Sequence, residues 1–459
     1  MKDDAFHGSF LEILRGIPRR YRLPALPSLG VVSKESHRHA NRLAVLIEHT
    51  RLSLVAGREP GEELRLAFLN TLQALIADAI RPEAGDTTFQ ALTLKHRSKW
   101  VQEYVSLASQ RAQDMRRVHT LVNAVAHPAK LERLPQDALR QVLGELQTAA
   151  TSERWSETSS ILHRILEEES ASDIRIHESL EKLRQESGLA RLLRLEALLE
   201  REDVRQYRAL WEQQGPPANS HAAVQEGAQA RRRGMDVESQ TKYALEAVAE
   251  VLNRRAGTQA RYRVATSMYV PASLAGHHEG GKTEWDAVLL RQAGGEATSS
   301  AEWDVLLLLE AKASADAIAT DFPRLLRGLR LLTQAESHTS YAFRAREGSF
   351  LLRGASLNVL PTEPDALEGT VLYTSDAMPE DNPRLLSAGG RMQLLTAAES
   401  LAYATALADG MEADTEVLAP LWEQLLTSSS WQGVLQQYPL LRHARELMVH
   451  VDDLAAAAG

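Results

Sequence analysis

Residues 283–314 read TEWDAVLLRQAGGEATSSAEWDVLLLLEAKAS, and this stretch decides the fold of the C-terminal half. Two apolar runs, Ala287–Leu290 and Val305–Leu309, each follow a Trp-Asp pair, and a Gly/Ser-rich segment separates them. That pattern predicts a β-hairpin with a longer loop. A turn centred near Gly295–Ser299 sets the start of the first strand opposite the end of the second. Asp286 then lies beside Glu310, and Lys312 shares the face of Glu310 because side chains repeat every two residues along a strand. Two carboxylates and a lysine thus meet at the end of an apolar sheet, where a carboxylate without a partner is costly. This donor set suits a divalent metal.

Working outward, Glu238–Asn253 has the spacing of an amphipathic helix, with Tyr243, Leu245, Val248, Ala249 and Leu252 toward a core and Gly257 closing it. ARYRVATSMYV (260–270) is β-branched and aromatic and reads as a strand ending at Pro271. A loop containing His277 and His278 leads into the hairpin, and that pair is read as exposed. After the hairpin, Asp316–Ala335 is helical, with Asp321 as a cap at Pro323. A second β-rich region follows in FLLRGASLNVLP and GTVLYTS. The order is helix, strand, strand, strand, helix, strand. Pro383–Gly410 and Thr415–Leu454 return to helix, and no internal repeat of fixed period is present.

Upstream, the chain reads as helical throughout. Residues 1–30 hold RGIPRRYRLPALPSLG, whose prolines predict an extended basic arm. Helices are expected over Ser36–Val55, Glu62–Ile80, Ala91–Ala126 and Gln136–Ala149. His37 and His39, two apart, do not face one another on a helix, and His119 and His127 are eight apart; both pairs read as surface or capping residues. Thr151–Gln214 combines Leu/Ile at three-to-four spacing with dense mixed charge, predicting a helical hairpin or short coiled-coil arm whose seam holds Ile161, Ile165, Leu180, Leu183, Leu192, Leu195 and Leu199. GPPANSHAAVQEG (215–227) is the clearest domain boundary.

Composition narrows the classes. At 459 residues two or three domains are expected. The chain has no cysteine, which excludes disulfides, zinc–thiolate sites and cysteine nucleophiles. The first ten residues lack an apolar signal core, and no apolar run reaches membrane-spanning length, so a cytoplasmic, non-membrane protein is expected. The formal net charge of −9 argues against a generally basic coat and confines any nucleic-acid contact to local patches. The candidates are Arg231, Arg232 and Arg233 before the first core helix, and Arg324, Arg327 and Arg330 recurring every three residues after Pro323. A solvated helix face is the equal alternative for both groups.

An Asp followed at a distance by Glu-x-Lys resembles the PD-(D/E)XK nuclease superfamily, and the resemblance covers residues 228–400. Gly234-Met-Asp-Val-Glu238 matches the Gly-x-x-x-Glu that opens the first core helix in members similar to Holliday-junction resolvases and Mrr-type restriction enzymes. The resemblance thus implies Glu238 as a further metal-side carboxylate beside Asp286 and Glu310. Glu284 fits a Glu-x-Asp variant of relatives. The loop between Asp286 and Glu310 is longer than in minimal members, and no Gln-x-x-x-Tyr follows Lys312, which departs from the RecB-like branch.

Phosphodiester cleavage needs a water deprotonated near neutral pH and stabilisation of developing negative charge. Mg²⁺ (or Mn²⁺) prefers carboxylate and water ligands and supplies both. Asp286 and Glu310 are expected to bind it with the carbonyl of Ala311. Lys312 would orient or deprotonate the water or neutralise charge, and a lowered pKa is expected for it on an apolar strand. The competing reading is a structural ion pair at a strand end, against which stands an excess of carboxylates over one lysine.

The expected fold class is α+β and predominantly helical: an all-α N-terminal region, a restriction-endonuclease-like α/β core and a helical C-terminal extension. The expected domains are a helical domain over 1–150, the charged arm over 151–214, a linker over 215–227, the nuclease-like domain over 228–400 and C-terminal helices over 401–459. A DNA-cleaving enzyme is the leading expectation, DNA being implied by the resemblance alone, with restriction or phage defence as an analogy of context. The rivals are an RNA-directed nuclease and a non-catalytic helical scaffold or adaptor carrying a nuclease-like binding module. A homodimer or a partner protein engaged through the helical N-terminal region stays open.

Overall fold

Short amphipathic helices separated by polar breaks bury their apolar stripes only by folding back on one another, and the N-terminal half of the chain does so. The computed structural model describes residues 10–29, 39–136, 138–167, 174–213, 215, 220–257, 261–275, 280–293 and 301–459. The chain is predominantly helical α+β, with seven strands in one sheet among the described residues. No helix among them is long and apolar enough to cross a membrane. Two compact units group the contacts, and both are discontinuous in sequence. Met1–Leu75, Ala218–Leu395 and Leu418–Gly459 form one, and Ile76–Pro217 with Thr396–Val417 forms the other. The expected 1–150 and 401–459 blocks are therefore each divided between units.

The all-helical unit contains α1 (Thr87–Arg97), α2 (Lys99–Ala126), α3 (Ala138–Thr151), α4 (Trp155–Glu167), α5 (Ile174–Arg184), α6 (Ser187–Leu199) and α7 (Glu202–Glu212). The single helix expected over 91–126 is two. Ser98 sits in extended backbone, donates its N–H to Leu94 to end α1, and accepts from the Val101 N–H to start α2. A serine serves both helix ends because its hydroxyl caps orphan N–H groups that a helix cannot satisfy itself. The seam expected over 151–214, for a helical hairpin or short coiled-coil arm, packs within the helical unit. Ile161, Ile165, Leu180, Leu183 and Leu192 are buried against Val118, Val122, Leu143 and Leu146 in one core. Its charges are drawn in too: Arg191 holds the buried Asp114 with two bonds of 2.8 and 2.6 Å. His127 caps the turn that follows it, accepting from the Ala129 N–H. His37 lies outside the described residues.

The mixed unit begins with residues 10–16 in helix, where Phe10, Ile13 and Leu14 are buried, so the expected extended arm is confined to the proline-bearing residues after it. Its central helix, α8 (His221–Ala256), starts at Ser220, whose hydroxyl accepts from the Ala223 N–H, and ends at Gly257 with φ of 58°. Residues 221–227, expected as linker, are helical because Ala-rich sequence behind a serine cap outweighs one glycine. Leu245, Val248, Ala249 and Leu252 pack on the sheet. Tyr243, expected inward, is 70% exposed, because it falls off the stripe that runs through Thr241, Leu245, Val248 and Leu252.

Strands β1 (Tyr262–Tyr269), β2 (Glu284–Gln292) and β3 (Glu302–Ala311) form an antiparallel meander, followed by α9 (Ala315–Leu332), β4 (Ser340–Ala345), β5 (Gly348–Arg353), β6 (Val371–Ser375), α10 (Gln437–Glu446), β7 (Met448–His450) and α11 (Val451–Ala456). The sheet order is β2-β1-β4-β5-β3-β6-β7, and β2 also pairs with β3, so five strands close into a ring. β6 runs parallel beside β3, and β7 parallel beside β6. Ile318, Phe322, Leu325 and Leu329 of α9 bury against Val288, Leu308 and Tyr373. β4 and β7 were not expected, β7 lying within a stretch that reads as helix. Three strand residues between helices are too few to show a period of two. Ser314, not Asp321, caps α9, and Pro323 lies inside that helix. The Gly295–Ser299 turn and His277 and His278 lie outside the described residues.

Candidate functional site

The pairing Ala287↔Leu309 sets Asp286 opposite Glu310 on the hairpin, and β6 brings Tyr373 alongside Glu310 from the other flank. Glu310 is completely buried. Its Oε2 receives the ammonium of Lys282 and, at 3.2 Å, that of Lys312. Its Oε1 is buried with no hydrogen-bond partner among the described residues. Asp286 Oδ2 accepts the Ala311 N–H at 2.8 Å, which ties the two strand ends together. Lys312 also approaches Asp321 to 3.6 Å, and the Tyr373 hydroxyl donates to the same Asp321 carboxylate at 3.2 Å. Beneath Glu310, the Thr374 hydroxyl donates to its carbonyl at 3.3 Å and lies 2.7 Å from the Thr241 hydroxyl of α8.

Two ammonium groups would ordinarily hold a carboxylate ionised. Here burial, followed by the charge of Asp286, outweighs Lys282 and Lys312, and the Glu310 pKa is pushed up to about 8. For Lys312 the largest influence is burial, which lowers its pKa, but Glu310, Asp286 and Asp321 together outweigh it and the net shift is upward. The lowered value expected for Lys312 is therefore corrected. One lysine among three carboxylates stays an ammonium. Glu238 lies on the exposed side of α8, and partial burial, then Asp286 and Glu284, raise its pKa.

Lys282, Asp321 and Tyr373 belong to this cluster and were not singled out as site residues from sequence. Lys282 follows two glycines in a loop with no periodicity to mark it. Asp321 carried a signal: it interrupts the apolar stripe of α9 between Ile318 and Leu325, where a carboxylate needs a partner. Gly328 makes room for Lys282. A Cβ there would stand 2.7 Å from Lys282 Cβ and 2.9 Å from its carbonyl oxygen. Gly328→Ala is expected to push the Lys282 backbone away and lower stability by about 1–3 kcal/mol in a denaturant titration, as overpacking does.

The candidate cations are all exposed. Arg231 lies two turns before Glu238 on the same side of α8, roughly 10 Å along its axis. Arg232 shares that segment, and Arg233 comes within 3.9 Å of Asp376. Arg324, Arg327 and Arg330 form one outward row on α9, and Arg327 donates to the Gly280 carbonyl at 2.9 Å.

Among the described residues, no three His, Asp or Glu side chains converge closely enough to hold a metal ion as they stand. The chemistry of the donors fits one nonetheless. Asp286 and Glu310 offer hard oxygens, and the buried, unsatisfied Oε1 of Glu310 is the kind of atom that a cation satisfies. Ala311, expected to contribute its carbonyl, contributes its N–H to Asp286. No protein-family model, curated protein or solved structure matches this chain.

Proposed function

We propose that the chain is a metal-dependent nuclease with a restriction-endonuclease-like core, hydrolysing phosphodiester bonds in DNA. One observation carries the reading: Asp286 and Glu310 face each other at a strand end with Lys312 two residues on, and one Glu310 oxygen is buried without a hydrogen-bond partner among the described residues. The element order, with β6 parallel beside β3 after the meander and α9, supports the same reading. Asp286 and Glu310, with Glu238 nearby, would hold Mg²⁺ or Mn²⁺. Such an ion supplies a Lewis acid and lowers the pKa of bound water. Lys312, an ammonium fixed by Glu310 and Asp321, stabilises the negative charge that develops on the phosphoryl oxygens and orients the attacking water, rather than removing its proton. Tyr373 holds Asp321, and through it Lys312, in place. Arg231, Arg232 and Arg233 on α8, and Arg324, Arg327 and Arg330 on α9, offer the phosphate contacts. A restriction or phage-defence role is the context that this chemistry suits by analogy, and RNA is the alternative substrate.

A second reading draws on Lys282. Its buried pair with Glu310 is what a structural ion pair needs, as in a scaffold or adaptor whose nuclease-like module only binds. Purified protein incubated with plasmid, linear duplex, single-stranded DNA and RNA, plus Mg²⁺ or Mn²⁺, separates the two. The nuclease reading expects cleavage of DNA that falls by at least about a hundredfold in Lys312→Ala and Glu310→Ala, the scale of losing one preorganised charge at a reacting phosphate. Cleavage of no substrate, or cleavage indifferent to both substitutions, rejects it.

A further inference from the structure

The helical unit contains a pocket unrelated to the acidic cluster. Its volume is about 490 Å³, within the range that takes a small organic molecule. Ile80, Leu94 and Leu210 supply apolar lining, and Arg81 and Arg97 line the same pocket. Thr93 is built into the wall. Only 4% of Thr93 is exposed, and its hydroxyl has no hydrogen-bond partner among the described residues. A threonine on a helix usually satisfies its hydroxyl on the carbonyl one turn back, as Thr50 and Thr71 do in this chain. A buried hydroxyl left without a partner is costly, and beside a pocket it is a group that a ligand can satisfy.

The charge pattern specifies the ligand further. Arg97 pairs with Asp409 at 3.1 Å and Arg81 with Asp78 at 2.7 Å, and all four side chains are more than a third exposed. Exposed pairs of this kind contribute little and exchange readily for another anion. An incoming carboxylate, sulfonate or phosphate would meet two planar guanidinium forks, while an apolar body occupies the Leu94–Leu210 wall.

We infer that this pocket is a binding site for a small amphipathic anion, with an apolar or aromatic body against Ile80, Leu94 and Leu210, one polar atom on Thr93, and an acidic group between Arg81 and Arg97. The site is independent of the nuclease reading, since none of its residues belongs to the acidic cluster.

The test uses two probes with similar ring systems, the anionic 8-anilinonaphthalene-1-sulfonate and the neutral N-phenyl-1-naphthylamine, titrated fluorimetrically into the full chain. Saturable one-to-one binding of the anion is expected. Ala408→Trp, at an exposed position on the pocket edge, should weaken both probes by at least tenfold while circular dichroism and Tm stay unchanged. Arg81→Gln combined with Arg97→Gln should weaken the anion about tenfold and leave the neutral probe within twofold. No saturable binding, binding indifferent to Ala408→Trp, or equal response of both probes to the arginine substitutions would overturn the inference.

Discussion

Glu310→Gln is expected to abolish metal-dependent cleavage and, at the same time, to stabilise the protein in the absence of metal. The two effects share one cause. Glu310 is completely buried, and its pKa rises from 4.5 to about 8 because desolvation and Asp286 outweigh two lysines. Below about pH 4.5 the side chain is protonated in both folded and unfolded chains and makes no difference to stability. Between 4.5 and 8 the unfolded chain releases the proton while the folded one retains it, so stability is lost as pH rises, at about 1.4 kcal/mol per pH unit. Above 8 the loss is constant at no more than roughly 5 kcal/mol. Glutamine keeps the shape and one acceptor oxygen for the lysine ammonium groups, without the charge. The difference in unfolding free energy between Glu310→Gln and the native chain, measured by urea titration with EDTA from pH 5 to 9, should therefore grow with pH and flatten above 8. Cleavage in Mg²⁺ should fall by at least about a hundredfold, since a neutral amide is a poor ligand for a hard cation. A variant that is inactive and also less stable at pH 9 would show that Glu310 acts chiefly as a structural partner of Lys282.

The hairpin register was readable because a turn centred near Gly295–Ser299 sets the start of the first strand opposite the end of the second, and a slip of one residue would have turned Asp286 and Glu310 to opposite faces. The pairing Ala287↔Leu309 follows the pattern. Helix breaks were readable where proline or glycine marked them and not where Ser98 did, because a serine inside a helical pattern is ambiguous until its hydroxyl is seen to cap. What the seam over 151–214 packs against was not legible, because a Leu/Ile stripe flanked by charges looks the same whether it meets a coiled-coil partner or a neighbouring helix. What decided it was the length of each helix, 11 to 13 residues, too short for a free-standing arm. At the site, the residues on the hairpin were legible because covalent spacing places them. Lys282, Asp321 and Tyr373 come from three other segments, and only tertiary packing brings them to Glu310. The hairpin itself carries one lysine against its carboxylates. The structure supplies a second, yet Asp286, Glu310, Asp321 and Glu238 still outnumber the pair.

Lys282→Met is the substitution with the next largest expected effect, and its size should depend on pH. Lys282 is 5% exposed and its ammonium is held on Glu310 Oε2, with Gly328 packed against its backbone. Methionine matches the length of the stem, so packing is largely conserved, and the change removes one buried positive charge. At pH 6 Glu310 can answer by keeping its proton, since a buried acid neutralises more readily than it remains charged and unpaired. The loss of stability there should be modest, below about 2 kcal/mol, the scale of one buried hydrogen bond. At pH 9 the native chain holds Glu310 largely ionised, whereas loss of Lys282, which lowers the Glu310 pKa, leaves the variant to retain the proton instead. Retaining it one pH unit above the native value of about 8 costs about 1.4 kcal/mol, so the loss at pH 9 should exceed that at pH 6 by about that amount. Combining Lys282→Met with Glu310→Gln tests the assignment directly. With no carboxylate to strand, the double variant should lose the pH dependence and recover most of the stability at pH 9, a coupling that a double-mutant cycle reads as positive. If Lys282→Met costs the same at pH 6 and pH 9, or if Glu310→Gln fails to suppress it, the charge of Lys282 is not what balances Glu310, and the buried carboxylate owes its burial to packing alone.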